Sequence, residues 1–205
     1  DRFANILVKN QSNNQFYEIA RHITPYGVGN SQLSRGLEVD VTDFKSILTG
    51  NVELKIFAET WVASGWVISL EFDYLSGTPD YKYYQVTPVI HFNRNSLSGV
   101  PYGGEHGNTQ LDEVKFDLKK SITFGPNIKS AHFRTIISGW GHATPADSDG
   151  RACAEWCFRT HKIKIDNVNK FSHYMGPIGC GSNPISNQAG NWVPDRAGWC
   201  PGMVV

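Results

Sequence analysis

Apolar and polar residues alternate with a period of two in several short runs of the 205-residue chain. In the run 51–60, Val52, Leu54 and Ile56 fall on one face, and charged side chains separate them. This period is typical of a β-strand that buries one face. We expect strands in the first part of the chain over 3–9, 16–23, 36–41, 51–60 and 66–75.

Two segments break this pattern. The segment 40–50 is expected to form a helix, with Thr42 or Asp43 as its cap and Gly50 at its end. The segment 76–83 contains glycine and proline and indicates a linker. A second series of strands is expected over 84–92, 113–118, 131–140 and 157–166.

Many short strands with irregular turns predict an all-β protein of the sandwich or jelly-roll type. Because the linker divides the strands into two series, we predict two antiparallel domains. The first is residues 1–78, the incomplete C-terminal part of an N-terminal jelly roll. The second is residues 79–205, a C-terminal jelly roll that lacks its final strands.

Charge and composition narrow the classes of partner. Lys and Arg together number 19, as do Asp and Glu, so the formal net charge is zero. Nucleic acids and anionic membranes attract a basic field, which this chain lacks, so we expect neither as a partner. No apolar run reaches the roughly 18 residues that a membrane helix needs.

The four cysteines permit three disulfide pairings or a metal site. Cysteine-based zinc sites usually have paired short spacings, and only Cys153 and Cys157 are close in sequence. We favour the local pairs Cys153–Cys157 and Cys180–Cys200. Disulfides are typical of an oxidising compartment, so we expect a secreted or periplasmic protein.

Candidate site residues cluster near glycine, proline and cysteine. Glu155 lies between two cysteines, where a short disulfide loop would hold a binding or catalytic carboxylate in place. Glu59 ends a predicted strand, a usual position for site residues. Arg196 is a candidate to bind a carboxylate or carbonyl, or to form a structural salt bridge. Four tryptophans lie in predicted loops and indicate sugar or ligand contact: Trp140, Trp156, Trp192 and Trp199.

Other chemistries lack their signatures. The chain has no nucleophile elbow, phosphate-binding loop, HExxH motif or dinucleotide fingerprint. Its seven histidines are scattered, with no two at metal-binding spacing on an obvious common face. Neither Met175 nor Met203 is accompanied by clustered histidines of the kind that a copper site needs. We therefore expect no metal and no cofactor.

Long stretches closely resemble the bacterial peptide:N-glycosidase F family. In the second half these are SGWGHATP (138–145), CAEWCFRTHKI (153–163) and GNWVPDRAGWCPGM (190–203). In the first half they include DRFANILVKN (1–10) and RGLEVDVTDFKS (35–46). The resemblance covers nearly the whole chain, and family members extend further on both sides, so we expect a piece of a longer protein.

The resemblance implies a fold and an activity. It implies two antiparallel jelly rolls side by side, with the active cleft between them. The activity would be metal-free hydrolysis of the amide between an asparagine side chain and the first N-acetylglucosamine of an N-glycan. The intact glycan leaves as a glycosylamine, and the asparagine becomes aspartate. The expected partners are N-glycosylated proteins and glycopeptides, bound through their chitobiose core by a monomeric enzyme.

The family's site residues fall on matching positions of this chain. The principal catalytic aspartate falls on Asp1, and the supporting glutamates fall on Glu59 and Glu155. We expect Asp1 to act on the water and the two glutamates to organise the sugar and the proton transfers. Substrate contacts are expected from Arg2, Trp61, Ser96, Trp140, Trp156 and Arg196. Where family members can carry a tryptophan, this chain has Gly27.

Three other classes stay open at this point. A non-catalytic carbohydrate-binding jelly roll would use the same tryptophans without turnover. An endo-type glycosidase would use paired carboxylates on the glycosidic bond and leave one sugar on the protein. A copper monooxygenase of similar architecture would need clustered histidines with a methionine.

Overall fold

A computed structural model describes residues 2–78, 80–89, 120–139, 142–143 and 153–205, with the backbone alone for 142–143 and 153–154. The helices within these residues are two short 3₁₀ turns, Thr42–Ile47 and Cys180–Ser182. The predicted all-β class is confirmed. The strands are β1 Phe3–Asn10, β2 Gln15–Ile23, β3 Leu54–Ala58, β4 His142–Ala143, β5 Cys153–Ala154, β6 Arg159–Ile165 and β7 Val168–Met175.

The N-terminal strands form an antiparallel sheet in the order β2–β1–β3. The strands predicted over 3–9 and 16–23 are confirmed, and the one over 51–60 is confirmed in its centre. A register shift between Ile6 and Leu7 marks a bulge in β1. The hydrophobic core beside this sheet contains Val8, Tyr17, Ile19, Ala20, Phe44 and Leu48.

The helix predicted over 40–50 is only the 3₁₀ helix Thr42–Ile47. Neither predicted cap is used: Val41 precedes the helix, and the Asp40 carboxylate accepts a 2.9 Å hydrogen bond from the Thr42 N–H. The segment is too short to repay the cost of starting an α-helix. It is held instead by burial of Phe44 in the core.

Several predicted strands run without a hydrogen-bonded partner strand among the described residues. This applies to 36–41, 66–75, 84–89 and 131–139. Alternation alone does not supply a neighbouring strand, and most side chains of 66–75 are exposed, while Phe72 packs against the core. The segment 131–139 contacts Arg21 through Ser138 and the hairpin cavity through Phe133 and Ile137.

The segment 131–139 lies between the N-terminal sheet and the C-terminal hairpin. Ser138 accepts a 3.0 Å hydrogen bond from Arg21 of β2. Phe133 and Ile137 face a cavity that the hairpin lines on its other side. The segment therefore contacts the N-terminal sheet through Ser138 and the C-terminal hairpin through Phe133 and Ile137.

Strands β6 and β7 form an antiparallel hairpin. The strand predicted over 157–166 is confirmed, but its partner Val168–Met175 was not predicted. Asp166 and Asn167 form the connecting turn, with φ of 50° and 64°. Two such residues between paired strands are typical of a type I′ turn, so the Asp-Asn pair was the missed signal.

The C-terminal residues are tied to the N-terminal sheet by backbone hydrogen bonds. Ile23 N–H donates to Met203 O at 2.9 Å, and Gly202 N–H donates to Ile23 O at 2.8 Å. Val205 N–H donates to Arg21 O at 3.0 Å. The chain end therefore runs along β2 like an additional antiparallel strand.

The predicted disulfide Cys180–Cys200 is confirmed, with its Cα atoms 5.4 Å apart. Asp195 supports it, because its carboxylate accepts hydrogen bonds of 2.8 and 2.7 Å from the N–H groups of Gly179 and Cys180. Cys157 is also in a disulfide. Its predicted partner, the side chain of Cys153, lies outside the described residues.

We predict that replacing both Cys180 and Cys200 by alanine lowers the free energy of unfolding by about 3 kcal/mol, the chain-entropy estimate for a loop of this length. The measurement is urea unfolding at equilibrium. As a matched control, the Cys153→Ala/Cys157→Ala variant opens a shorter predicted loop and should lose less. An equal or smaller loss in the Cys180→Ala/Cys200→Ala variant would contradict the assignment.

Candidate active site

The candidate site lies at the end of the N-terminal sheet where β1 begins and β3 ends. The pairing of Ala4 with Ala58 brings the residues before β1 beside those after β3. Glu59 N–H donates a 3.0 Å hydrogen bond to Phe3 O, which extends the ladder by one step. Arg2, Glu59 and Trp61 therefore lie together at one end of the sheet, where β1 begins and β3 ends.

Arg2 is fixed at this edge by both its backbone and its side chain. Its carbonyl accepts a 2.8 Å hydrogen bond from the Thr24 N–H, which follows β2. Its guanidinium carbon lies 3.0 Å from the centroid of the Trp61 ring, a cation–π stack. Trp61 is 80% exposed, so its other face is open to solvent. An exposed indole of this kind offers a stacking surface to a ligand.

Glu155 reaches the same place from the second half of the chain. It lies in the tight turn between β5 and β6, two residues before Cys157, which is buried and disulfide-bonded. Its carbonyl accepts a 2.7 Å hydrogen bond from Ala197 N–H. Only 7% of Glu155 is exposed. The turn thus holds the carboxylate by its backbone, as expected from the sequence.

The pKa of Arg2 shows that Glu59 and Glu155 are close enough to interact with it. Burial lowers the pKa of Arg2, and the charges of Glu59, Tyr26 and Glu155 act in the opposite direction. The structure therefore brings both predicted glutamates into the field of one arginine. A cation flanked by two carboxylates and an open indole suits a neutral, polar ligand that carries an amide and a sugar ring.

Arg196 is completely buried. Its guanidinium donates hydrogen bonds to the backbone carbonyls of Asn191, Trp192 and Pro194, at 2.5, 3.3 and 2.7 Å. It also lies 4.5 Å from the ring centroid of Trp156. These bonds stabilise the loop that carries Arg196. Through its contact with Trp156, the residue after Glu155, Arg196 also helps to hold the region around Glu155 in place.

Two aromatic residues near the site were not predicted as site residues of this cleft. Tyr26 accepts a 3.4 Å hydrogen bond from Arg196 through its hydroxyl, and its backbone pairs with Ala189 at 3.0 Å. Trp199, predicted from the sequence only as one of four tryptophans that contact a sugar or ligand, is fully buried, and its indole N–H donates a 2.8 Å hydrogen bond to Gly139 O. The signal for Tyr26 was its place directly after the strand that ends at Ile23.

Glycines shape the wall around Tyr26. A Cβ on Gly190 would collide with the Tyr26 ring, so only glycine allows this close approach. Gly27 is exposed with φ of 63°, and a Cβ there would lie 3.1 Å from that of Ala189. The position that carries tryptophan in some family members is therefore an open stretch of backbone.

Four residues named from the sequence remain outside this geometry. Asp1, Ser96 and Trp140 lie outside the described residues. Trp192 is half-buried, and its carbonyl is bound by Arg196. The positions of Asp1, Ser96 and Trp140 in the site therefore stay predictions.

Among the described residues, one group of three cysteine and acidic side chains has its potential ligand atoms close together: Cys180, Asp195 and Cys200. The two sulfurs are bonded to each other, and the Asp195 carboxylate caps backbone N–H groups. A disulfide sulfur has no thiolate to offer an ion, so this group does not form a metal site. No helix in the described ranges has the length and apolar character required to cross a bilayer.

Comparisons with known proteins agree with the geometry. A family model described as "Peptide-N-glycosidase F, N terminal" matches residues 3–74, and one described as "Peptide-N-glycosidase F, C terminal" matches residues 108–205. The chain is 57% identical over 206 residues to the peptide-N(4)-(N-acetyl-beta-D-glucosaminyl)asparagine amidase F of Elizabethkingia miricola. That match covers 100% of this chain and 56% of the relative.

Solved structures give the same result. The structure of PNGase F, a glycosylasparaginase from Flavobacterium meningosepticum, matches with a TM-score of 0.80 and 51% identity. A recombinant peptide:N-glycanase F matches with a TM-score of 0.80 and 50% identity. Both matches cover 100% of this chain and 64% of the solved chain. They confirm the predicted class of two jelly-roll sandwiches. With its N-terminal and C-terminal segments matched by the two halves of one family, the chain belongs to the peptide-N-glycosidase F family.

Proposed function

We propose that this protein hydrolyses the amide bond between an asparagine side chain and the first N-acetylglucosamine of an N-glycan. Water adds its oxygen to the side-chain carbonyl carbon, and the carbon–nitrogen bond breaks. The nitrogen leaves with the glycan as a glycosylamine after taking a proton. The peptide keeps an aspartate in place of the asparagine.

The observation that carries this proposal is that Glu59 and Glu155 both interact electrostatically with Arg2. Arg2 stacks on Trp61, an exposed indole. An amide substrate requires a group that activates water and a charge that stabilises its carbonyl oxygen. Carboxylates suit the first task and a guanidinium suits the second. The indole supplies a stacking surface for the sugar ring.

The proposed roles rest on the family resemblance and, for the described residues, also on position and burial. Asp1, adjacent in sequence to Arg2, positions and deprotonates the water. Glu155 and Glu59 orient the sugar and its amide and move the proton to the leaving nitrogen. Arg2 contacts the substrate oxygens, with Trp61, Trp156, Trp140 and Ser96 around the sugar. Arg196 acts chiefly by holding Trp156 and its loop.

The relatives' names support the reaction class, since one is an N-acetyl-glucosaminyl asparagine amidase. The chain spans 56% of that relative's length, so the activity of the whole protein is part of the proposal. Proposed partners are N-glycosylated proteins and glycopeptides that present a chitobiose core. We further propose a monomer that is secreted or periplasmic, because the disulfides require an oxidising compartment.

We propose residues 1–78 and 79–205 as the two domains. The support is that the two family matches, 3–74 and 108–205, fall on either side of residue 79. Both domains then contribute to one site, because Glu59 comes from the first and Glu155 from the second. The glycine at position 27 leaves one wall of the proposed sugar site without a side chain.

The reaction is tested with a defined N-glycopeptide in water enriched in heavy oxygen. The expected product is a peptide with aspartate at the glycosylation site and one heavy oxygen in its side chain, seen by mass spectrometry. A product that keeps one N-acetylglucosamine would indicate an endo-type glycosidase. Binding of the glycopeptide without any conversion would indicate a carbohydrate-binding protein.

We predict that Asp1→Asn, Glu59→Gln and Glu155→Gln each lower kcat/KM for this glycopeptide. Asp1→Asn should be the most damaging, by about 10²–10⁴-fold, because it removes the proposed base. The matched control is Glu53→Gln, an acid in a surface ion pair with Lys9 at the far end of β3. It should leave turnover unchanged, and wild-type turnover in Glu155→Gln would contradict the proposed site.

Arg196→Lys should lower both turnover and stability, because a single ammonium cannot replace a guanidinium that serves three carbonyls. Each buried carbonyl left without a donor costs about 1–3 kcal/mol. Arg2→Lys is the comparison: it should lower turnover with a much smaller change in melting temperature. Equal melting temperatures for both variants would show that Arg196 does not support the fold.

A further inference from the structure

A second cavity lies between the β6–β7 hairpin and the segment 131–139, with a volume of about 360 Å³. The proposed reaction uses none of it. The described residues that line it include no carboxylate and no cysteine. They are Phe133, Thr135, Ile137, His161, Ile163, Phe171, Ser172, His173, Met175, Gly198 and Val205.

Two histidines face each other across this hairpin. His161 of β6 pairs directly with His173 of β7, and both line the cavity. The Cβ atoms of residues paired in this way are about 4.5–5.5 Å apart, which lets both imidazoles reach one ion. The sequence-based expectation that no two histidines share a face is wrong, because β7 was not predicted.

A thioether completes the same wall. Met175 lies two residues after His173 on the same face of β7 and is buried. Its sulfur lies 3.1 Å from where a Cβ of Gly198 would be, so the side chain packs against bare backbone. Gly198 has φ of 76°, which also favours glycine there. Met175 therefore lines the same cavity as two histidines, a grouping that the sequence analysis did not expect.

We propose that His161, His173 and Met175 bind a copper(I) ion at the wall of this cavity. Thioethers are soft ligands that select copper(I), and imidazole suits copper as well. Zinc is usually bound by cysteine, histidine and carboxylate, and calcium and magnesium by oxygen. The apolar lining favours an ion of low charge that sheds its water readily.

The two imidazoles are close enough to interact: burial lowers the pKa of His161, and the charge of His173 acts in the same direction. Binding is a simple association in which no electron is transferred and no bond within the protein breaks.

The test is a titration of the intact protein with copper(I) under ascorbate and without oxygen, in competition with bicinchoninate. Copper should bind with a stoichiometry near one ion per chain. Met175→Leu keeps the buried volume and should weaken binding at least about 10-fold, the lower limit seen even for loss of an outer-shell partner. His161→Ala and His173→Ala should do the same.

The matched control is His132→Ala, an exposed histidine that does not line the cavity. It should bind copper like the wild type. X-ray absorption should show a sulfur scatterer that disappears in Met175→Leu. Unchanged affinity in that variant, failure of the wild type to bind copper, or an equal loss in His132→Ala would each overturn the site. Melting curves without copper show that the variants are folded.

Discussion

The buried guanidinium of Arg196 is the constraint on which the site's loops depend. Removing a cation from water costs several kcal/mol unless its donors and charge are satisfied. Here the carbonyls of 191–194 point at it, and the rings of Trp156 and Trp199 lie 4.5 and 5.5 Å away. A loop without regular structure is thereby organised around one charge, and Trp156 is held beside Glu155 as a consequence.

Backbone pairing then sets the distance between the two halves of the site. The segment that follows Arg196 binds Glu155 through the Ala197 N–H and binds β2 through Met203 and Gly202. Glu155 and the end of β2 are therefore placed by hydrogen bonds to the same segment, and Ile23 at that end pairs with Phe3 at the start of β1. The electrostatic coupling of Glu155 to Arg2 is a result of this arrangement.

Local patterns in the sequence predict much of this structure, and long-range contacts account for the rest. Enrichment in β-branched and aromatic residues located β1 and β2, and alternation located the centre of β3. The same alternation in 66–75 was misleading, since a strand also needs a partner that periodicity does not specify. The tight turn around Glu155 was visible from the cysteines, and the family motifs named Glu59. Nothing local indicated that Arg2 and Glu155 are neighbours.

Strand β7 was not predicted because its turn was not recognised, and the pairing of the two histidines was missed with it. Asp166 and Asn167 resemble an ordinary polar loop unless they are taken as the two residues of a hairpin turn. Once β7 is paired with β6, the register alone places His161 opposite His173. Two histidines that are twelve positions apart in sequence become direct neighbours, and only the pairing reveals it.

Gly198 links the two regions sterically. Its N–H donates a 2.9 Å hydrogen bond to Gly176 O at the end of β7, and Ala197 before it holds Glu155. Met175 occupies the space that any side chain at position 198 would need. Protein interiors are close-packed, so a side chain there would displace Met175 or the backbone that carries Ala197. The hairpin cavity and the turn that carries Glu155 therefore share one wall, so a shift in one displaces the other.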